Sequence, residues 1–399
     1  MHVDANSAFL SWSSAEALKN GERLDYRTVP AVVGGDESSR HGIVLARSVP
    51  AKKFGIKTAE TLYSARKKCP NLLVIPPDYG LYQKYSDAMY EILASYTPII
   101  QRYSIDECFL DYTASEKLFG DPVKVAYEIR SRMKKELGFT VNIGVSVNKV
   151  LAKMGSEMEK PDKVHTLWPE EIPDKLWPQE VGELFMVGRR SAAHLNNIGI
   201  YTIGDLAHAN FDLLLSHFKS YAYLLHDYAN GIDNEPVEDY SEILQKGFGN
   251  AETINHNVKD YDEAHKYLLK MCEKVAGRLR AAGARGSLVG ISIRNSDLLW
   301  YGRQMQFDVY FNSTDEIYER ALMLFDSIWQ EDPIRQIGVS VSHLIYEGDE
   351  EQLSLFTPDP EGVDCLAEEA MDQIRERFGR DSIKRGTLLE FKHKENPHE

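Results

Sequence analysis

Residues 103–112 read YSIDECFLDY. Ile105, Cys108, Phe109 and Leu110 give the run the apolar character of a buried strand, yet Asp106 and Glu107 stand side by side within it. An ionised carboxylate in an apolar strand costs several kcal/mol unless opposite charge lies beside it. No lysine or arginine follows within three residues, and Arg102 lies four before Asp106. A divalent cation is the better counter-charge, because Mg²⁺ takes hard oxygen ligands. Neighbouring side chains on a strand point to opposite faces. Both acids can therefore serve one site only where the strand ends or bends.

HVDAN (2–6) opens the chain as a strand, and SAFLSWSSAEALKNG (7–21) follows as a helix with Gly21 near its stop. Asp4, at the end of that strand, is the third candidate acid. Three acids from two strand ends can bind two Mg²⁺ roughly 4 Å apart, the arrangement used for in-line phosphoryl transfer. The plainer alternative is that Asp4 caps the helix 7–19 and that Asp106-Glu107 is a strand-edge pair.

Further along, Tyr79–Tyr96 has helical spacing, and strands over Ser104–Tyr112 and Thr140–Val147 flank a helix at 121–137. Such strand–helix–strand units predict an α/β or α+β catalytic unit. From Leu184 to about Asn230 the pattern is all short helices. Asp233–Gln245 is polar and acidic, carries Pro236 and suits a linker. Residues 246–346 read βαββαβ: a strand, a helix over Tyr261–Ala282, strands over Ser287–Arg294 and Arg303–Phe311, a helix over Thr314–Gln330 and a strand over Arg335–Tyr346. GARGSLVG (283–290) reads as the turn into the second of these strands. From 347 the chain reads as an acidic, mostly loop-like tail with one amphipathic helix near Leu366–Phe378.

At 399 residues the chain is too long for one ordinary core and predicts a multidomain α+β protein. No apolar run approaches the roughly 18 residues of a membrane helix, and the N-terminus lacks a signal-peptide pattern. With Cys69, Cys108, Cys272 and Cys365 far apart, the expectation is a cytoplasmic protein with reduced thiols. HExxH and GxxxxGK[ST] are absent, which removes support for zinc proteolysis and P-loop chemistry. A net charge of −15 argues at face value against a nucleic-acid partner. Residues 347–399, however, hold 7 Lys/Arg against 15 Asp/Glu, a net −8 and over half the total. Elsewhere lie basic strips: Lys67-Lys68, Lys134-Lys135, the set Lys149/Lys153/Lys160, Arg189-Arg190 and Arg278/Arg280/Arg285. Affinity for DNA depends on where cations sit rather than on their sum.

Four stretches, in this order and spacing, carry a resemblance over nearly the whole chain: VDANSAF (3–9), YSIDECF (103–109), GVSVNKVLAKMGSEMEKPD (144–162) and FMVGRRSAAHLNNIGIYTIGDLA (185–207). Together they resemble a Y-family translesion DNA polymerase. The resemblance implies a right-hand fold: palm at 1–8 and 78–165, fingers at 9–77 and a helix-hairpin-helix thumb at 166–232. A linker (233–245), a little finger (246–346) and an acidic tail (347–399) follow. It implies template-directed, low-fidelity DNA synthesis in lesion bypass, with primer-template DNA and deoxynucleoside triphosphates as substrates and two Mg²⁺ ions as cofactors.

By the same resemblance Asp4, Asp106 and Glu107 are the metal-binding catalytic acids, and Ala5 offers its backbone carbonyl to one metal. Phe9 falls at the steric-gate position, where an aromatic ring beneath the sugar excludes a 2′-hydroxyl. Lys52 and Lys160 meet the triphosphate, and Lys149 falls near the metal site or the primer strand. Val187, Gly188, Arg189 and Arg190 contact the DNA backbone through a hairpin whose second helix offers free N–H groups to phosphate. Arg285 and Arg294, with Arg303 nearby, meet the duplex from the little finger. Asn6, Val49 and Lys52 depart from the polymerase IV branch and lean toward the UmuC-like branch, whose D-x-N and AR-x-x-x-AK patterns they follow. Lys52 can contact phosphate only as a point charge, without an arginine's fork.

In the tail, Gln352, Leu353, Leu355 and Phe356 of QLSLF resemble the pentapeptide that binds the bacterial sliding clamp, and tethering raises the local concentration of a weakly gripping enzyme. The expected assembly state is a monomer. Two rival readings are a non-catalytic, polymerase-shaped scaffold for DNA or the clamp, and a two-metal nuclease using the same acids to activate water.

Overall fold

Eight short strands organise the first half of the chain: β1 (His2–Ala5), β2 (Ala31–Gly34), β3 (Val44–Arg47), β4 (Leu73–Ile75), β5 (Ile100–Arg102), β6 (Glu107–Leu110), β7 (Val141–Val145) and β8 (Val164–Thr166). They belong to a computed structural model that describes residues 1–37, 39–238, 244–349, 363–379 and 381–388. Two units separate, Met1–Glu37 with Gly42–Ile243 and Ser38–His41 with Leu244–Glu399.

In the first unit the main sheet runs β5-β6-β1-β7-β8, with β1 antiparallel to both neighbours and β7–β8 parallel. Every residue of β1 is buried, which suits a central strand covered on both faces. Helices Ala8–Lys19, Tyr79–Ala94 and Pro122–Arg132 pack apolar faces, including Leu10, Trp12, Tyr82, Met89 and Ile129, into the core beside this sheet. The helix expected at 121–137 ends in a π turn over Met133–Leu137. A smaller sheet, β3-β2-β4, carries its own apolar cluster of Val32, Val44, Ile56 and Leu62. Short helices from Ile172 to Ala229 close around Leu195, Ile203, Leu214 and Leu225.

One contact fixes the height of the helix Lys149–Glu157 on β7. A Cβ at Gly144 would fall 1.9 Å from the carbonyl oxygen of Ala152 and 2.6 Å from the amide nitrogen of Ser156. Only glycine lets the helix backbone approach so closely.

The second unit has the expected βαββαβ order: β9 (Gly247–Val258), helix Tyr261–Ala281, β10 (Ala284–Asn295), β11 (Trp300–Phe311), helix Thr314–Ile328 and β12 (Ile334–Tyr346). The sheet is antiparallel in the order β11-β10-β12-β9. Val289, Ile291 and Ile293 alternate into the core with the two helices. The GARGSLVG stretch is a correction: β10 begins at Ala284, and only Gly283, at φ +59°, makes the turn. Gly286 sits inside the strand because a Cβ there would fall 2.4 Å from Val341 Cγ1.

The helix expected near Leu366–Phe378 in the acidic tail is present as Val363–Phe378. It is fastened to the rest of its unit by arginines. Arg280 bonds Glu368 at 2.5 Å and Asp372 at 2.7 Å, and Arg375 bonds Glu273 at 2.6 Å. Arg385 pairs with Glu368 and, at 2.7 Å, with Asp315. Glu368 also accepts the Thr314 amide at 2.9 Å, so it satisfies a free N–H at the start of the Thr314–Ile328 helix. The pentapeptide Gln352–Phe356 lies outside the described residues.

Candidate active site

Register decides which acids face each other. Asp4 pairs with Glu107 across β1 and β6, so their side chains share one face of the sheet. Asp106 lies in the turn just before β6, where its carbonyl accepts the Ala5 amide at 3.0 Å. The strand thus bends where the two adjacent acids sit. The helix-cap alternative for Asp4 does not hold: the helix begins after Ser7, with no side-chain cap.

Like charges directly opposite on a sheet are destabilising, and here the counter-charge comes from lysine. Lys153 is 7% exposed. Its Nζ lies 2.8 Å from Glu107 Oε1, 2.9 Å from Glu157 Oε1 and 3.8 Å from Asp4 Oδ2. Lys160 Nζ lies 3.2 Å from Asp4 Oδ2 and 2.8 Å from Glu157 Oε2. Carboxylate oxygens of Asp4, Glu107 and Glu157 all fall within 4.8 Å of one another. These are hard oxygen donors and fit a divalent cation such as Mg²⁺. Asp106 is outside that group, and its Oδ1 accepts a 2.7 Å hydrogen bond from Ser104 Oγ.

The electrostatics differ from acid to acid. Burial pushes the Asp4 carboxyl up to about 8, with Lys160 the main opposing influence. Burial also raises Asp106, against the Ser104 hydrogen bond. Burial works to raise Glu107 too, but His2 and Lys153 outweigh it and hold it well below the usual carboxylate range. His2 is fully buried, hydrogen-bonded through Nδ1 to Ser156 Oγ at 2.7 Å, and driven down to about 4 by burial. Its Nε2 lies 3.8 Å from Glu107 Oε2, too far for a hydrogen bond.

Asn6 is bound on every side. Its Nδ2 donates to Asn142 Oδ1 at 3.1 Å, and its Oδ1 accepts from Thr140 Oγ1 and from the Asp162 amide. A carboxylate there has no proton to give Asn142, so an amide suits this position. Phe9 stands on the first turn of helix Ala8–Lys19 and stacks on Tyr82, with centroids 4.4 Å apart and 10° between planes. Lys52 ends up near two further cations: burial lowers its ammonium, and Arg47 and Lys160 lower it further. Lys149 is not among the acids; it pairs with Glu235 at 3.0 Å.

Away from this cluster, Gly188 precedes the helix Arg189–Asn197, whose N-terminus has no side-chain cap. Arg189 and Arg190 are exposed, whereas Val187 is buried and can offer only backbone. In the second unit Arg294 shares a face of β10 with Gly290 and Ser292, opposite the core. Its guanidinium lies over the Trp300 ring at 5.5 Å. Arg285 lies beyond an irregularity in the ladder between Gly286 and Leu288, and its neighbour Ala284 is buried in the core, so alternation counted from Arg294 does not separate the two arginines.

Sequence reasoning missed Glu157, His2 and Arg47, and placed Lys153 only within a basic strip. For Lys153 the available signal was the apolar surroundings of the helix, Val150, Leu151 and Met154, all buried.

The profile of the impB/mucB/samB family matches residues 3–157, and that of its C-terminal domain matches 245–355. DNA polymerase IV of Clostridium acetobutylicum is 45% identical over 393 residues, covering 98% of each chain. DNA polymerase IV of Acetivibrio thermocellus is 37% identical over 98% of this chain and 97% of its own. DNA polymerase IV 2 of Bacillus subtilis is 37% identical over 97% of this chain and 93% of its own. These relatives carry the polymerase IV name, not the UmuC-like one toward which Asn6 and Lys52 lean. Among solved structures, a Y-family DNA polymerase chimera of Dbh and Dpo4 superposes with a TM-score of 0.74 at 25% identity, covering 86% of this chain and 98% of that one. No helix among the described residues is long and apolar enough to cross a membrane.

Proposed function

Because the chain belongs to the Y-family of DNA polymerases and is a DNA-directed DNA polymerase of translesion synthesis, we propose that Asp4, Asp106 and Glu107 are its catalytic acids. The observation that carries this is the cross-strand Asp4–Glu107 pair, with Asp106 bonded to Ala5 through the backbone at the same strand ends. With the Ala5 carbonyl, these acids would hold two Mg²⁺ ions. When bound, such ions lower the pKa of the primer 3′-hydroxyl and neutralise the charge that develops on the phosphates.

The chain's own residues do the rest. Phe9, braced by Tyr82, occupies the space beneath the sugar and excludes a 2′-hydroxyl. Lys52 and Lys160, joined by Arg47, draw the triphosphate toward the acids as a cluster of positive charge. Val187 and Gly188 offer backbone, and Arg189 and Arg190 offer cations, to a DNA phosphate strand. Arg285 and Arg294 meet DNA from the second unit, Arg294 from the sheet face opposite the core. We assign Gln352, Leu353, Leu355 and Phe356 to a sliding clamp, and take the enzyme to act as a cytoplasmic monomer.

One experiment tests the site: primer extension on undamaged and abasic templates, with deoxy- and ribonucleotides, by the parent, Asp106→Ala and Phe9→Ala. Asp106→Ala should lose extension by roughly a thousandfold or more while still binding primer-template. Phe9→Ala should gain ribonucleotide incorporation. Undiminished extension by the first variant removes the metal assignment, and unchanged sugar discrimination by the second removes the gate.

A further inference from the structure

Glu157 has no part in the reading above, yet its two carboxylate oxygens hold the two lysines of the site separately. Oε1 faces Lys153 at 2.9 Å and Oε2 faces Lys160 at 2.8 Å. Local helix physics does not favour an acid here. Glu157 is the last residue of its helix, where the dipole disfavours negative charge, and a lysine four residues before a glutamate is the weaker order for such a pair. The two ammonium groups account for the acid where the helix does not.

Those ammonium groups also lean on Asp4, at 3.8 and 3.2 Å, and on Glu107, at 2.8 Å. Asp4 and Glu107 are the carboxylates assigned above to divalent cations. A dication and an ammonium a few ångströms apart repel, so they cannot share one carboxylate comfortably. The lysines must give way, and Glu157 is a carboxylate that both already hold.

We infer that Glu157 is a positioning residue, which retains Lys153 and Lys160 when metal ions claim Asp4 and Glu107 and so keeps Lys160 facing the triphosphate. This rests on the assignment of Asp4 and Glu107 to the metals and of Lys160 to the triphosphate.

The test uses the full chain on a primer-template whose primer ends in a dideoxynucleotide, so that binding is read without chemistry. Equilibrium binding of a Mn²⁺-loaded deoxynucleoside triphosphate is compared for the parent, Glu157→Gln, Lys160→Met and the double variant. Each single variant should weaken binding roughly tenfold, and the double no more than either, because Glu157 acts through Lys160. Effects that multiply in the double variant, or unchanged binding by Glu157→Gln, overturn the inference. The Glu157 side chain is 41% exposed, which favours folding of the variant; should it fail, Glu157→Asp, too short to span both lysines, takes its place. Mn²⁺ binding by free Asp4→Asn, followed by electron paramagnetic resonance, is the separate control. Unchanged Mn²⁺ affinity there defeats the metal assignment itself, whatever the nucleotide cycle gives.

Discussion

Two buried charge clusters in this chain look alike in composition and differ in kind. In the first unit Lys153 and Asp4 are 9% and 10% exposed at their side chains; in the second, Arg280 and Glu368 are 8% and 7% exposed. Burial is therefore matched. In the second cluster arginines supply planar, multidentate grips, and Glu273, Asp315, Glu368 and Asp372 each have one. In the first, lysines supply point charges, and Asp106 accepts a hydrogen bond from the Ser104 hydroxyl. An arginine fork matches a carboxylate geometrically and fastens it, whereas an ammonium can be replaced by another cation. One cluster holds a helix down; the other keeps acids available.

Exchange of the cation types should break this contrast if it is wrong. Arg280→Ala leaves Glu368 and Asp372 short of a partner and should cost about 3–5 kcal/mol, read as denaturant unfolding of the second unit. A loss below about 1 kcal/mol would show that the arginine cluster fastens nothing. The reciprocal change, Lys153→Arg, should leave stability nearly unchanged yet lower extension roughly a hundredfold, because a fork on Glu107 yields less readily to a metal. Full activity in that variant would erase the distinction between the two clusters.

The pH dependence sharpens it further. The Asp4 carboxyl stands at about 8 in the folded chain against an ordinary 3.8, with burial the main cause. Since the folded value is the higher, Asp4 favours the folded state fully below about pH 4. That contribution is lost as pH rises through about 8. Metal binding requires the carboxylate. Mn²⁺ binding near pH 7 should therefore release a proton, and affinity should rise by up to about tenfold per pH unit until about pH 8. Calorimetry in buffers of different ionisation heat measures this. A flat affinity from about pH 6 to 8 would mean that Asp4 is already ionised beside its lysines.

The candidate acids Asp4, Asp106 and Glu107 were legible in the sequence because they interrupt apolar runs, where an acid needs a reason; Glu157, which the structure groups with Asp4 and Glu107, was not. The order of strands and helices in the second unit was legible for a similar cause, since alternation and helical spacing are local. What escaped was non-local. Lys153 meets Glu107 across 46 residues and Arg280 meets Glu368 across 88, distances over which a sequence carries no pairing signal. Lys153 and Glu157 sit on a helix whose buried side is set by β7, not by their own spacing. Residue parity does not place Arg285 and Arg294 either, because the ladder to β11 shifts register between Gly286 and Leu288.

The missing side chain at Gly144 has a consequence for anyone wishing to redesign this catalyst. With helix and strand already touching backbone to backbone, the clearance between them cannot be tuned in small steps. The reach of the ammonium arm at 153 can be altered by substitution, but its pivot point cannot, so one hydrogen atom works as the gauge that sets how far the charge extends.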